Sequence, residues 1–293
     1  MFHFKIPQKV ININGIKIGG NPGENPPVLI GTIFYHGHRI VVNERKGEFN
    51  KEEAEKLIKI VEELSDKTKL PTAIDVVCAE PKAAIKYLDF IASVTKMPIL
   101  VNTPSIESMK EAFNFIKSSG LSSRVIYNSL TARSKNEEYI ILQEAGVKHA
   151  IALLYTDRIL DVNARLNALE SIVKKTGYYG IENILVDTFV IDIPSLSVAM
   201  RTIFTVKSHY GYPCGCGAHN AVSVQRKAFK DKFGKNGLHA AELAANLATI
   251  VIGADFLLYG PIEASLVIFP AVYTIYTSYR YLLRMKSPLI EIT

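Results

Sequence analysis

The residues of this sequence best suited to chemistry are short polar side chains that directly follow apolar runs. An amide or a carboxylate ends each of the segments Leu100-Val101-Asn102, Ile126-Tyr127-Asn128 and Leu185-Val186-Asp187. Further polar residues stand at comparable places: Thr32, Tyr35 and His38, Asp75 and Glu80, Ser129, Asp157, and His219 with Asn220. Any one of them is equally well explained as a cap of the next helix, because Asn, Asp and Ser favour that position. Several of them at successive ends of buried strands favour a binding site.

Neutral amides with few carboxylates suit a flat heterocycle that presents an amino group, a ring nitrogen and an N–H along one edge. A carboxylate can accept two hydrogen bonds from such an edge, and Asn offers both a donor and an acceptor. A phosphate site would instead show glycine-rich turns and basic residues, and the sequence contains neither a GxGxxG turn nor a GxxxxGK(S/T) loop. The polar set therefore predicts a site for a flat nitrogen heterocycle.

A glycine-rich segment, Gly211 to Asn220, carries a second pattern. It contains Cys214-x-Cys216-x-x-His219, and Cys78 lies in another apolar run. Thiolates and an imidazole form a ligand set that Zn²⁺ accepts, whereas cysteine is also common as a small buried residue. A zinc site and structural thiols both stay open at this point. We favour the structural interpretation and expect no metal.

Alternating apolar runs and amphipathic segments position these residues. Strands are predicted at Val28–Phe34, Ala73–Cys78, Pro98–Asn102, Arg124–Asn128, Ala150–Tyr155, Ile184–Val190, Tyr212–Gly217 and Ala254–Tyr259. Helices are predicted between them at Lys51–Asp66, Pro81–Thr95, Ser105–Ser118, Val162–Thr176, Ser195–His209 and Leu238–Ile252. This α/β alternation is typical of a (β/α)8 (TIM) barrel, whose active site collects at the carboxyl ends of the strands. An open doubly wound sheet is disfavoured because the nucleotide-binding turns are missing.

The N-terminal residues 1–20 are predicted to form a β-hairpin that covers one end of the barrel. Apolar residues alternate on both sides of Asn14-Gly15, and this pair is a strong signal for a two-residue turn. No low-complexity linker divides the chain. Residues 1–293 are therefore predicted to form a single domain.

Composition narrows the classes of function. The formal net charge is +6, but Lys and Arg alternate with Glu and Asp along the predicted helices, so we expect no nucleic-acid partner. Few cysteines and the lack of a signal-peptide pattern favour the cytoplasm. The apolar stretch Ser265–Leu283 contains Pro270 and Arg280, which favours a buried or subunit-facing helix over a membrane span. Its tyrosines predict either a homodimer surface or a core-facing stripe: Tyr273, Tyr276, Tyr279 and Tyr281.

Several local motifs resemble one known family. They are Gly19-Gly20, Pro22-Gly23-Glu24, Gly31-Thr32-Ile33-Phe34-Tyr35, Gly37-His38, Ile126-Tyr127-Asn128-Ser129 and Gly215-Cys216-Gly217-Ala218-His219-Asn220. Together with the run from Val10 to Val41, they resemble the H subunit of tetrahydromethanopterin S-methyltransferase, and the likeness covers nearly the whole chain. More distant relatives are methylcorrinoid:tetrahydrofolate methyltransferases and other pterin-binding barrels. The resemblance implies a pterin-binding (β/α)8 barrel that moves a methyl group between N5 of a tetrahydropterin and the cobalt of a corrinoid.

The same resemblance implies which residues bind the pterin. In the family, side chains after the third, fourth and sixth strands hold the ring, and a loop after the seventh strand supplies an Asn near N5. The pterin candidates that follow are Asn102, Asn128, Asp187 and Asn220, with Asp75 as a further one and Glu80, Ser129 and His219 as accessory ones. Relatives often carry an acidic residue where this chain has Asn102. We therefore expect the amide at this position to affect the affinity for the pterin and the choice between pterins.

Methyl transfer requires positive charge on N5, because the neutral amine is a poor leaving group. We expect the Asn220 side-chain oxygen to stabilise that charge, with Asp187, His219 or solvent supplying the proton. The catalytic candidates are therefore Asn220 and Asp187. An Asn220→Ala substitution is predicted to slow transfer far more than it weakens pterin binding, and Asp187→Ala is predicted to weaken binding.

The expected partners follow from what the sequence lacks. It has no Asp-x-His-x-x-Gly corrinoid motif, so the corrinoid (cobalamin) is expected on a partner protein, with tetrahydromethanopterin or tetrahydrofolate as the methyl carrier. A homodimer and peripheral docking to a membrane complex are further expectations. Two alternatives stay open: a non-catalytic subunit that holds the pterin, and a zinc-dependent thiol methyltransferase that uses Cys78, Cys214 and Cys216.

Overall fold

The computed structural model describes residues 2–285 and 289–292 of the chain. The strands in this part are β1 (Phe2–Phe4), β2 (Val10–Ile13), β3 (Ile16–Gly19), β4 (Val28–Ile33), β5 (Val41–Asn43), β6 (Glu48–Phe49), β7 (Thr72–Val77), β8 (Ile99–Asn102), β9 (Val125–Leu130), β10 (His149–Leu153), β11 (Asn183–Asp187), β12 (Cys214–Cys216), β13 (Phe256–Pro261) and β14 (Ile290–Ile292). The α-helices are α1 (Lys51–Thr68), α2 (Pro81–Val94), α3 (Ile106–Ser118), α4 (Asn136–Glu144), α5 (Val162–Tyr178), α6 (Ile193–His209), α7 (Asn220–Ser223), α8 (Arg226–Val251) and α9 (Ser265–Arg284).

Eight parallel strands close into a barrel in the order β4, β7, β8, β9, β10, β11, β12 and β13. Pairing of Leu257 in β13 with Leu29 in β4 closes the ring, and β4 then aligns Thr32 with Asp75 of β7. At least one helix separates each barrel strand from the next. The predicted (β/α)8 architecture is confirmed.

Barrel-strand side chains alternate between the interior and the surrounding helices, because successive residues of a strand point to opposite faces. The lower interior is filled by apolar side chains: Val28, Ile30, Ala73, Leu100, Ile126, Ile151, Leu185, Phe256 and Leu258. Five polar residues each lie two positions after one of these apolar residues and therefore also point into the barrel: Thr32, Asp75, Asn102, Asn128 and Asp187. The interior is therefore apolar below and polar at the carboxyl ends of the strands, which we call the mouth.

The predicted N-terminal hairpin is formed by β2 and β3 and closes the end opposite the mouth. Asn14 and Gly15 have φ values of 50° and 87°, as a two-residue turn of this handedness requires. Ile11, Ile13 and Ile18 pack onto the lower apolar interior of the barrel. This packing leaves the polar mouth as the end at which a ligand meets polar side chains.

The helices begin and end near the predicted residues, with one larger difference. Asn50 caps α1 by accepting a hydrogen bond from the Glu53 amide at 3.1 Å. The helix predicted from Leu238 begins instead at Arg226, and its geometry breaks at Gly234, where φ is 72°. The segment before Gly234 was not predicted as helix, because a glycine interrupts the helical pattern there. In the structure this segment forms helical turns beside the mouth.

Two further elements differ from the sequence-based prediction. The pattern of the sequence did not predict α4, whose buried residues are Tyr139 and Leu142, because a stripe this narrow gives little helical periodicity. Strand β12 covers Cys214–Cys216 and is shorter than the predicted Tyr212–Gly217. The residues after β12 are thereby free to form the loop that leads into α7.

The predicted tyrosines of α9 lie on more than one face of the helix. Tyr276 is 8% exposed, whereas Tyr273 and Tyr281 are 43% and 60% exposed. The core-facing interpretation therefore applies to Tyr276 and not to the other two, and a homodimer surface remains a prediction. None of the helices in the described ranges is both long enough and apolar enough to cross a membrane.

A buried ion pair joins α6 to the start of β13 and to the end of the hairpin. The Nζ atom of Lys207 lies 2.7 and 2.6 Å from the two carboxylate oxygens of Asp255 and 3.0 Å from the carbonyl oxygen of Gly20. The Cys214 amide donates a further hydrogen bond to Asp255 at 2.9 Å. Burial raises the pKa of Asp255, and Lys207 opposes this shift, so the carboxylate depends on its partner for its charge.

Candidate functional site

The carboxylate of Asp75 is the centre of a hydrogen-bonded cluster inside the mouth. It accepts a hydrogen bond from Thr32 Oγ1 and another from Asn128 Nδ2, both at 3.0 Å. The Asn102 side chain also faces this carboxylate and favours its charged form. Strands β7 and β9 are not neighbours, so the bond between Asp75 and Asn128 runs through the barrel interior. The structure thus brings together three predicted pterin residues from consecutive strands.

Asp187 supplies a second carboxylate to the mouth. It ends β11, is 7% exposed, and accepts a hydrogen bond from the Phe189 amide at 2.8 Å. Burial raises its pKa to about 6; the Phe189 amide and the Arg165 guanidinium oppose the shift, and the Asp75 carboxylate adds to it. The two carboxylates are therefore close enough to influence each other.

The pKa of Asp75 is raised in the same way as that of Asp187. Burial raises its pKa to about 6, while hydrogen bonds from Asn128, Thr32 and Asn102 act in the opposite direction. A group with this pKa is mostly ionised at neutral pH and becomes protonated under mildly acidic conditions. The mouth can therefore offer two ionised hydrogen-bond acceptors to a ligand rich in N–H groups.

Arg165 supports the loop after β11 and was not identified from the sequence. It is 0% exposed and donates hydrogen bonds to the backbone oxygens of Ile159, at 2.7 Å, and of Phe189, at 3.0 Å. It also bonds to the backbone oxygen of Thr188. The signal that could have found it is its position on the core-facing stripe of α5, where an arginine needs polar partners.

The loop after β12 presents Asn220 beside a glycine. A Cβ atom at Gly217 would lie 3.1 Å from Asn220 Nδ2, so the glycine lets this amide approach the strand end closely. The neighbouring His219 bonds through Nδ1 to the Leu258 carbonyl oxygen at 3.0 Å. Because a carbonyl oxygen only accepts, Nδ1 carries the proton and Nε2 is left as an acceptor. Burial lowers the pKa of His219, which favours this neutral form.

A cavity of about 530 Å³ opens next to this cluster, between β13, α8 and α9. Thr32 and His219 line it, together with Glu263 of the turn that follows β13. Glu263 accepts a hydrogen bond from His38 Nε2 at 3.2 Å, and the ring of Tyr35 stacks on that of His38 at 4.3 Å. The sequence motif that contains Tyr35 and His38 thus builds one wall of a second space beside the mouth.

The remaining strand-end candidates do not join the Asp75 cluster through hydrogen bonds. Glu80 precedes α2 and makes no side-chain cap bond, and Ser129 is partly buried directly after Asn128. Asp157 is exposed and pairs with Arg133 on the surface. Among these, Asp157 is the clearest case of a polar residue after a strand that serves the surface.

The three cysteines form no metal-holding group in the part of the chain that the structure describes. Cys78, Cys214 and Cys216 are each 0% exposed and lie in the apolar layer between the barrel and its helices. Burial raises the pKa of all three thiols. Across residues 2–285 and 289–292, no group of three or more His, Cys, Asp or Glu side chains is arranged to hold a metal ion. The cysteine side chains point from their strands toward the surrounding helices, whereas the side chains of the polar cluster point into the barrel.

Two solved structures share this architecture. A DHPS from Yersinia pestis with a pterine–sulfa conjugate matches with a TM-score of 0.64 at 11% identity, and dihydropteroate synthase (FolP) from Thermus thermophilus matches with a TM-score of 0.60 at 13% identity. Each match covers 92% of this chain and 99% of the other. The fold therefore belongs to the class of (β/α)8 barrels built like dihydropteroate synthase.

Within that class, one family matches by sequence. The family described as "Tetrahydromethanopterin S-methyltransferase MtrH subunit" matches residues 6–292. The chain is 37% identical over 283 residues to the H subunit of this enzyme from Methanothermobacter thermautotrophicus, and 35% identical over 291 residues to that from Methanocaldococcus jannaschii. These alignments cover 92% and 93% of this chain and 91% of either relative. The chain belongs to this family of methyltransferase subunits, and the family predicted from its motifs is confirmed.

Proposed function

We propose that this chain binds a methylated tetrahydropterin in the barrel mouth and transfers the N5 methyl group to the cobalt of a corrinoid on a partner protein. The relatives are named as subunits of a tetrahydromethanopterin methyltransferase, so we favour tetrahydromethanopterin over tetrahydrofolate as the carrier. The observation that carries the proposal is the convergence of Asp75, Asn128 and Asp187 on the inward phase of three strands.

The polar side chains of the mouth fit the amino-pyrimidine edge of a pterin. Ionised Asp75 and Asp187 can accept hydrogen bonds from its N–H groups, and Asn128 keeps its carbonyl oxygen free while its Nδ2 bonds to Asp75. Asn102 suits this arrangement, because an amide favours the charged Asp75 where a carboxylate would repel it. The amide at position 102 is therefore compatible with a pterin site whose charge comes from Asp75 and Asp187.

Transfer breaks the bond between N5 and the methyl carbon and forms a bond between that carbon and cobalt(I), which supplies the electron pair. N5 is protonated before or during the attack, keeps the electrons of the broken bond, and leaves as the N–H form. We assign to the Asn220 side-chain oxygen the stabilisation of this positive charge, which is greatest in the transition state.

The source of the proton is narrowed by the pKa values of the neighbouring groups. Asn220 has no acidic proton to give. His219 is neutral around pH 7, because burial lowers its pKa and its Nδ1–H is committed to Leu258. Asp187, whose pKa is raised to about 6, is mostly ionised at neutral pH and is assigned to the amino-pyrimidine edge, so we assign delivery of the proton to solvent. His219 then acts by holding the loop that carries Asn220.

A single-turnover assay tests this division of roles. Methylated pterin is mixed with free cob(I)alamin, and the change in the cobalt spectrum is followed for the wild type and its variants. Asn220→Ala should slow transfer by about 100-fold or more while pterin affinity changes little. Asp187→Ala should lower pterin affinity by about 10- to 100-fold, whereas Asp157→Ala, its matched control on the surface, should change neither quantity.

The results separate this function from the alternatives. Equal losses of rate and affinity in Asn220→Ala would contradict the assigned role of that residue. A wild-type protein that binds the pterin tightly but transfers no methyl group to cobalamin would be a pterin-holding subunit instead. An Asp187→Ala variant with unchanged affinity would remove that residue from the site.

The proposal also includes the assembly. We expect a cytoplasmic protein that docks at the periphery of a membrane complex and receives the corrinoid on another subunit. The exposed Tyr273 and Tyr281 of α9 are the surface that we assign to a homodimer. Sedimentation of the wild type and of a Tyr273→Glu/Tyr281→Glu variant tests this surface, which is wrong if both sediment as the same species.

A further inference from the structure

Three residues that line the cavity beside the mouth each carry a buried side-chain atom without a hydrogen-bond partner in the described chain. These atoms are Oδ1 of Asn246, the hydroxyl of Tyr259 and Oε2 of Glu263. Asn246 and Tyr259 are 2% and 1% exposed. A buried polar atom that makes no hydrogen bond costs about 1–3 kcal/mol, so the walls of this cavity hold unused hydrogen-bonding capacity.

The walls of this cavity are otherwise largely apolar. Leu243 of α8, Pro261 at the end of β13, and Val267 and Ile268 of α9 line it. A volume of about 530 Å³ lies within the range of about 300–1,000 Å³ that is usual for small-molecule pockets. An aromatic or aliphatic group that carries a few hydrogen-bonding atoms has the chemistry that these walls recognise.

The cavity is continuous with the proposed pterin site. Thr32 lines the cavity and also donates its hydroxyl hydrogen to the Asp75 carboxylate. Gly260 also lines the cavity and has a φ of 91°. A Cβ atom there would lie 2.8 Å from the His219 ring, so a side chain at this position would displace His219, which lines the same cavity.

From this continuity we infer that the cavity is the subsite for the arm that the pterin carries at C6, an aromatic amine followed by a polar chain. The inference rests on the proposed function. C6 is next to N5, at the end of the bicyclic ring opposite the amino-pyrimidine edge. With that edge on Asp75 and Asp187 and with N5 at Asn220, the C6 substituent leaves the ring on the side of β12, β13 and β4, where the cavity opens.

Charged side chains of both signs lie at the entrance of the cavity. Arg226 and His239 line the entrance, and Arg226 pairs with Glu242 at 2.6 Å. The exposed first half of α8 also carries Lys227 and Lys230. Because Glu242 and Glu263 also line the cavity, its entrance offers polar partners of both signs to the far end of the arm.

Filling the cavity tests the inference directly. Val267 lines the cavity, and its neighbour Leu266 does not; both are well exposed on α9, at 55% and 61%. Val267→Trp should weaken binding of the complete tetrahydromethanopterin at least tenfold and leave the affinity for 6-methyltetrahydropterin, which lacks the arm, unchanged. Leu266→Trp, the matched control, should bind both compounds like the wild type. Calorimetric titration of the wild type and both variants with the two compounds provides these affinities.

The outcomes distinguish this subsite from the pterin site itself. If Asp187→Ala lowers both affinities while Val267→Trp lowers neither, the arm lies elsewhere and the proposed function stands. If wild type fails to bind either compound, the proposed function fails first. Equal losses for both compounds in Val267→Trp would make the cavity part of the ring site and overturn the assignment. Unchanged affinities combined with slower transfer to the corrinoid protein would assign the cavity to the acceptor and overturn it as well.

A second variant keeps the inference testable if the tryptophan disturbs α9. Asn246→Leu removes an unpartnered buried carbonyl oxygen and keeps the approximate volume of the side chain. We expect this variant to melt at a higher temperature than the wild type and to bind the complete carrier more weakly, with unchanged affinity for 6-methyltetrahydropterin. Unchanged affinity for the complete carrier would contradict the role of Asn246 in the subsite.

Discussion

Replacing Asp187 by Asn should stabilise the unliganded protein above pH 6 and leave its stability nearly unchanged near pH 4. Burial raises the pKa of Asp187 from 3.8 to about 6. A carboxyl group that binds its proton more tightly in the folded state stabilises the fold while it is protonated, and this contribution is lost as the pH rises through the folded-state pKa. Asn is neutral throughout and does not undergo this loss.

The size of the effect follows from the displacement of the pKa. Each pH unit corresponds to about 1.4 kcal/mol, so a displacement from 3.8 to about 6 predicts a difference of about 3 kcal/mol between variant and wild type at pH 8. The substitution keeps an oxygen that can accept from the Phe189 amide, which lies 2.8 Å from the carboxylate. Arg165 retains its hydrogen bonds to Ile159 and Phe189, so the substitution takes no partner away from the Arg165 guanidinium.

Urea unfolding at a series of pH values from 4 to 8 measures this difference. The two stability curves should meet near pH 4 and separate progressively up to pH 7. Asp157→Asn, which changes an exposed carboxylate, is the control that should follow the wild type within about 0.5 kcal/mol. A variant that is less stable than the wild type at pH 8, or a gap that does not depend on pH, would refute the reasoning from burial. The same variant should bind the pterin more weakly, because it loses a charged acceptor.

Two other measurements follow from the same contacts. Pterin affinity should fall as the pH drops below about 6, by up to about tenfold per pH unit for each carboxylate that must be ionised; calorimetry from pH 5 to 8 checks this, and a flat profile would contradict it. Lys207→Met should destabilise the fold by about 3–5 kcal/mol at pH 8, because it leaves the buried Asp255 without its partner. Urea unfolding should show a smaller loss for the Lys207→Met/Asp255→Asn double variant, and equal losses would argue against an unpaired charge as the cause.

Stability and binding make opposite demands on the mouth of this barrel. Asp75 and Asp187 are buried carboxylates whose pKa values are raised by that burial, so each destabilises the empty protein at neutral pH. A ligand rich in N–H groups would supply the hydrogen bonds that compensate for the lost water. This opposition is typical of sites that are organised before the ligand arrives.

Patterns that act within one element were readable from the sequence. Alternation along each strand placed Asn102, Asn128 and Asp187 at or within two residues of the strand ends, and the Asn14-Gly15 pair predicted the hairpin that closes the barrel. These signals are local because turn geometry and strand periodicity depend on neighbouring residues. The same alternation, applied to Cys214 and Cys216, places them on the face opposite the polar cluster, among the buried side chains between the barrel and its helices.

The order of strands and helices along the chain and the alternation of side chains within each strand thus determined the barrel, its polar end and most of the residues at that end. Only the tertiary structure decided which of them touch, because the contact of Asp75 with Asn128 and that of Lys207 with Asp255 join residues far apart in sequence. The raised pKa values of the two mouth carboxylates and the unpartnered atoms of the side cavity likewise depend on how completely other elements exclude water. Burial is a property of the assembled fold, and no local pattern encodes it.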